Sequence, residues 1–202
     1  MVLLRTLVKN MEKQQIRSEI LNIRSNMSTE ECCRKSHEIC SRLIRTELYQ
    51  KANVIYAYMA FKNEVDLTEL IEEALKDQKQ IAIPKITDGK MLFYYPEMNQ
   101  QGEFQTESGY FKIKEPTSDA VEAQEPDVIL FPGVAFDRSL NRIGYGKGFY
   151  DSYMQTIQKT GVISIGIAYE CQLVSEIQAD SHDYRLDYIL TEENLYEAGR
   201  RD

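Results

Sequence analysis

Apolar positions along this chain switch repeatedly between a helical period near four and a strand period near two, so helices and strands alternate. Ile16, Ile20 and Ile23 recur at helical spacing between charged neighbours, which predicts a first helix over about 11–24. Ser28, followed three residues later by Glu31, forms a capping-box pattern that opens a second helix running to about Tyr49. A β-type run follows at 53–60, then Asp66 and Glu69 offer a second capping box for a helix to about Asp77, and 80–86 makes the next strand. That order is a βαβ unit with a crossover of suitable length.

Residues 91–95 read as a hairpin partner or edge strand, and 99–124 as a long polar loop region. The run 127–131 is short and continuously apolar, as in a strand buried on both faces, and Pro132 and Gly133 turn the chain out of the sheet. A helix over about 147–159 carries Tyr150, Tyr153, Met154 and Ile157 on one face, a strand follows at 162–169, and 188–190 makes a last short one. The expected fold class is α/β, a single three-layer α/β/α domain with a mostly parallel sheet.

A length of 202 residues suits one core rather than two. Residues 1–10 read as an N-terminal extension expected to be disordered, and 11–202 as the domain, with Met11 a second candidate start. The leader MVLLRTLV is interrupted by Arg5 and lacks a long apolar stretch, which argues against a signal peptide or membrane span. A net charge of −8 argues against a general nucleic-acid binder. Cys32, Cys33, Cys40 and Cys171 form no CxxC pair and no metal-ligand spacing, which fits reduced thiols in a cytoplasmic protein.

Chemistry concentrates in Phe131–Asp151. Between Arg142 and Asp151 lie Gly144, Gly146 and Gly148, Lys147, and the aromatics Tyr145, Phe149 and Tyr150. Glycines let backbone N–H groups approach an anion, a following helix adds its positive end, and Arg142 and Lys147 supply charge for phosphate oxygens. Asp151 suits magnesium, which prefers carboxylate oxygens and shares its shell with phosphates. The segment follows the carboxyl end of the 127–131 strand, where open α/β sheets bind ligands. It matches neither the dinucleotide-binding nor the P-loop pattern, and by residue types alone it reads equally as a structural turn.

Lys13 and Arg17, four apart, share a helix face, ordinarily a solvated one. Glu64 leaves the first strand at the same sheet edge, as an acceptor for a heterocycle or an exposed loop acid. Asp180, Asp183 and Asp187 cluster around His182, any of them a candidate partner for Asp151. No nucleophile accompanies His182, so no hydrolytic triad is readable, and His37 reads as a surface or packing histidine.

Taken together, FPGVAFD at 131–137, RIGYGKGFYD at 142–151 and HDYRLDYILTE at 182–192 resemble the 5-formyltetrahydrofolate cyclo-ligase family. Weaker matches lie in the Lys13 and Arg17 pair, YMAFKNEVD at 58–66 and IAIPK at 81–85. The resemblance implies conversion of 5-formyltetrahydrofolate and ATP to 5,10-methenyltetrahydrofolate, ADP and phosphate, with magnesium, in a monomer. It implies ATP contacts from Lys13, Arg17 and Arg142, Ile143, Gly144, Tyr145, Gly146, Lys147, Gly148, Phe149 and Tyr150, with Arg142 and Lys147 catalytic. Folate contacts would come from Met59, Glu64, Tyr145, Gly146, Lys147, Gly148 and Phe149, and magnesium ligands would be Asp151 and Asp183. Lys147 stands where many members carry glycine, and Phe149 where tyrosine is frequent. Rival readings are a transferase related to coenzyme A transferases, with Glu64 as nucleophile, a sugar-phosphate isomerase, and a sensor that binds without turnover.

Overall fold

The short β-branched and aromatic runs become the strands of a central sheet in the computed structural model, which describes residues 2–197. In chain order the elements are α1 (Val2–Ser25), α2 (Thr29–Ile44), α3 (Glu47–Lys51), β1 (Val54–Tyr56), α4 (Thr68–Lys76), β2 (Gln80–Thr87) and β3 (Lys90–Tyr95). There follow β4 (Thr106–Ser108), a 3-10 turn at Tyr110–Lys112, β5 (Lys114–Pro116), β6 (Val121–Glu122), β7 (Val128–Phe131), β8 (Ala135–Asp137) and β9 (Arg142–Ile143). The last are α5 (Phe149–Met154), β10 (Ile163–Ile167), a second 3-10 turn at Glu170–Gln172, β11 (Leu173–Val174), β12 (Tyr188–Leu190) and β13 (Leu195–Glu197).

The eight-stranded sheet has the order β13-β12-β10-β7-β1-β2-β3-β6. Its centre, from β12 to β2, is parallel, and β13, β3 and β6 add antiparallel edges. Strand residues alternate between the two faces as the period of two requires. Ile55, Ile81, Ile83, Leu130 and Ile165 pack with Ile39, Leu43 and Leu70 of α2 and α4. Tyr56, Ala82, Ile129, Phe131 and Ile189 face the other way, toward Tyr150, Tyr153 and Met154 of α5. Full burial of each such Ile, Leu or Phe contributes about 1.5–3 kcal/mol, and Ile129, Leu130 and Phe131 are all fully buried. A small sheet, β11-β8-β9, makes a third core with Ile20 of α1 through Val134, Ala135, Ile143 and Ile177.

Several boundaries depart from the sequence reading. The first helix begins at Val2 rather than near Met11, so the backbone of the leader continues α1; it contains no Gly or Pro to interrupt it. The second predicted helix breaks after Ile44: Thr46 accepts from the Tyr49 amide and caps a separate α3. Ser28 caps α2 as read, accepting from Glu31 N at 3.1 Å. The box at Asp66 and Glu69 does not form, because Asp66 Oδ1 accepts from the amide and hydroxyl of Thr68 while Glu69 pairs with exposed His37. The stretch read as a loop at 99–124 carries β4, β5, β6 and a 3-10 turn. The helix read over 147–159 stops at Met154, its turn opened by Gly148.

Candidate active site

The chain leaves β7 at Pro132, folds back through β8 and β9, and returns over the carboxyl edge of the sheet as the Gly144–Gly148 loop before α5. Gly146 and Gly148 have φ of 92° and 67°, left-handed values that cost an L side chain about 1–2 kcal/mol. Because α5 has only six residues, its dipole adds little, and the cations beside the loop carry the electrostatics instead.

A cleft of about 690 Å³ lies against this loop. Every residue expected at a ligand or metal lines it: Lys13 and Arg17 from α1, Met59 and Glu64 after β1, the whole run from Arg142 to Asp151, and Asp183. Lys62, Pro132, Asp180 and His182 also line it, as do Tyr58, Phe61, Pro84, Ile86, Tyr110 and Ile113, to which sequence reasoning had assigned no role. Tyr110 comes from the polar stretch 99–124 and meets the Phe149 ring edge-on, centroids 5.7 Å apart. Its sequence signal is the Tyr110–Phe111 aromatic pair, with Ile113 beyond, inside a mostly polar stretch.

One wall is charged, and its charges are paired. Lys13 Nζ lies 2.6 Å from both Asp180 Oδ2 and Asp183 Oδ2. Burial opposes the charge on Lys13, but the two carboxylates outweigh it and raise its pKa above that of a free lysine. Arg17 Nε donates to Gly144 O at 2.8 Å and so ties α1 to the glycine loop; burial lowers its pKa from the ordinary arginine value. Arg142, with a side chain only 5% exposed, donates from Nη2 to Asp151 Oδ1 at 2.8 Å and lies over the Phe131 and Tyr150 rings. Lys147 lies exposed at the rim.

The two acids expected at magnesium are neighbours through the backbone, since Tyr184 N donates to Asp151 Oδ1 at 3.2 Å. Asp183 Oδ2 takes Lys13 and the Asp180 amide, whereas its Oδ1 lies 3.9 Å from His182 Nε2. Asp151 engages its partners through Oδ1, which leaves Oδ2 available. The donor atoms of Asp180, His182 and Asp183 lie within 4.8 Å of one another. Hard carboxylate oxygens of this kind fit magnesium; an imidazole does so poorly.

The other wall is buried and short of partners. Glu64, 8% exposed, accepts from Phe61 N at 2.9 Å. Burial raises its carboxyl pKa, against the opposing pull of the Phe61 amide, the Arg24 charge and the nearby Tyr145 hydroxyl. Among the described residues the buried Tyr145 and Tyr150 hydroxyls have no hydrogen-bond partner, nor does Nε of Arg142 on the charged wall. Burial pushes both phenol pKa values up, so both remain protonated donors. Unmatched buried groups that line a cleft are what a polar ligand satisfies on entry.

The model of the 5-formyltetrahydrofolate cyclo-ligase family matches residues 9–192. The 5-formyltetrahydrofolate cyclo-ligase of Haemophilus influenzae is 29% identical over 184 residues, 89% of this chain and 97% of its own. The Mycoplasma pneumoniae enzyme of that name is 30% identical over 186 residues, 91% of this chain and 100% of its own. The solved 5,10-methenyltetrahydrofolate synthetase of Aquifex aeolicus superposes with a TM-score of 0.78 at 31% identity, covering 94% of both chains. The match spans α1, the glycine loop and the Asp180–Asp183 turn, the segments that enclose the cleft, and the chain belongs to the 5-formyltetrahydrofolate cyclo-ligase family.

Proposed function

We propose that this enzyme cyclises 5-formyltetrahydrofolate to 5,10-methenyltetrahydrofolate with consumption of ATP and release of ADP and phosphate. The observation that carries the reading is the convergence of Lys13, Arg17, Met59, Glu64, the Arg142–Asp151 run and Asp183 on one cleft, in a chain of this family.

A formamide oxygen is a poor leaving group, so ring closure needs that oxygen converted to phosphate. In the reaction proposed, the formyl oxygen attacks the γ-phosphorus and ADP departs. The side-arm nitrogen then attacks the activated formyl carbon and gives up its proton to solvent, and phosphate leaves with the former formyl oxygen. Both nucleophiles belong to the substrate, which accounts for a cleft rich in cations and hydrogen-bond donors but without an activated protein nucleophile.

Lys13, Arg17, Arg142 and Lys147 would bind and neutralise the phosphates, with the glycine loop supplying backbone donors. Asp151 and Asp183 would hold magnesium, which would supply charge neutralisation at the phosphates. Glu64 would accept from the pterin N–H groups, Met59 and the aromatic side chains would cover its ring, and Tyr145 would complete its polar contacts. We place the enzyme in the cytoplasm as a monomer that uses neither nucleic acid nor membrane. Among the described residues all four cysteines are free, and no helix is long and apolar enough to cross a membrane.

The test is to mix the purified protein with 5-formyltetrahydrofolate and Mg-ATP and follow the near-ultraviolet band of the conjugated methenyl product. ATP-dependent growth of that band is expected. ATP binding without the band supports a sensor, and acyl-CoA turnover without ATP supports a transferase.

A further inference from the structure

Arg24 is the largest side chain in the molecule with essentially no exposure, 2%, and nothing in the phosphate chemistry uses it. It lies on the last turn of α1, seven residues after Arg17 and hence on nearly the same helix face. Its Nε donates to Asn63 O at 3.0 Å and its Nη1 to Gly133 O at 3.3 Å. Asn63 Nδ2 donates back to Arg24 O at 2.9 Å, so the two residues clasp each other. The residue after Asn63 is Glu64, which is held from its other side by its bond to Phe61 N and by Tyr169, whose hydroxyl donates to Glu64 O at 3.2 Å. Arg24 makes no direct ion pair with Glu64, yet its charge favours the ionised carboxylate, and the Tyr145 hydroxyl lies within electrostatic reach of both. A guanidinium held on backbone carbonyls leaves the carboxylate's lone pairs unused.

We propose that Arg24 is a positioning residue for the folate subsite: its clasp with Asn63 and its bond to Gly133 O fix the turn that presents the Glu64 carboxylate to the pterin. This inference rests on the folate reading of Glu64.

The experiment is calorimetric titration of wild type, Arg24→Lys, Arg24→Met, Glu64→Gln and the two double variants with 5-formyltetrahydrofolate, beside steady-state KM values for both substrates. Circular dichroism establishes which variants fold. Arg24→Met is expected to weaken folate binding about tenfold or more, the range of a lost charge-assisted interaction. Its KM for Mg-ATP should stay within about twofold of wild type, a bound well below one such interaction. Arg24→Lys should recover part of the loss, and the effect of either substitution should shrink in the Glu64→Gln background. If Arg24→Met does not fold, Arg24→Lys alone against Glu64→Gln gives the same coupling. Equal losses for both substrates, or an Arg24 effect undiminished beside Glu64→Gln, overturns the proposal. Turnover by wild type decides the underlying reading separately, and absence of folate binding by wild type removes both.

Discussion

The two walls of the cleft solve the problem of holding charge in opposite ways. On the phosphate side, Lys13 is matched by Asp180 and Asp183, and Arg142 by Asp151. On the proposed folate side, Glu64 is enclosed, Arg24 is held on backbone carbonyls, and among the described residues the buried Tyr145 and Tyr150 hydroxyls have no hydrogen-bond partner. In the proposed reaction the first wall is an exchangeable set: an incoming phosphate would compete for the cations and a metal for the carboxylates. The second is preorganised, with donors and an acceptor fixed before the ligand arrives, so that little ordering remains for binding.

The largest effect expected from breaking this contrast is at Arg142. Arg142→Ala removes a buried cation beside the glycine loop and leaves Asp151 without its arginine partner, so kcat should fall about 10²–10³-fold, with circular dichroism establishing that the variant folds. Near-normal turnover in a folded variant contradicts its role.

On the opposite wall, Glu64→Gln should raise the folate KM about 10–100-fold, the worth of a hydrogen bond to a charged group, with the ATP KM little changed. Its pH dependence follows from burial. The Glu64 pKa lies above the ordinary carboxylate range, so the folate KM of wild type should rise as pH falls through that raised value, and Glu64→Gln should flatten the profile. The same shift sets a sign for stability. The folded state holds this proton to higher pH than the unfolded chain, so the contribution of Glu64 to stability falls as pH rises from the ordinary carboxylate range through its folded pKa. Thermal unfolding across that range reads it.

A smaller effect is expected at Lys13. Lys13→Met should raise the ATP KM about tenfold and leave the folate KM near wild type. Because its partners raise its pKa, the stabilisation from Lys13 is fully present below the unfolded lysine pKa and is lost as pH rises through the folded one. Alkaline unfolding of wild type against Lys13→Met measures that loss.

How much of each wall was legible in the sequence follows from the range of the interactions that build it. The Ile16, Ile20 and Ile23 stripe fixes the helix phase and so puts Lys13 and Arg17 on one face, but that face reads as solvated, and only the family resemblance gave the pair a role. The same phase should have flagged Arg24, but a charge at the end of an amphipathic helix is ordinarily solvated; here it meets the carbonyls of Asn63 and Gly133, distant in sequence. Asp183 could not be chosen over Asp180 or Asp187 from local pattern, since its neighbours are set by Lys13 across 170 positions; only the family resemblance selected it. The central parallel strands announced themselves by apolar runs. The paired strands β4 and β5 did not, because three residues are too few to show a period and their register depends on contacts such as Lys85 with Glu107 and Pro116 O.

The smallest expected effect separates backbone geometry from chemistry. Gly148→Ala and Gly161→Ala both force an L residue to positive φ, 67° and 80°, and each should cost about 1–2 kcal/mol in denaturant unfolding. Only Gly148→Ala, in the cleft, should also change the ATP KM.

Initial-rate kinetics of the methenyl chromophore, with each substrate varied in turn for wild type, Lys13→Met and Glu64→Gln, tests the two-walled site most directly. The account predicts that the ATP KM moves in Lys13→Met alone and the folate KM in Glu64→Gln alone. Both constants rising together in both variants contradicts it.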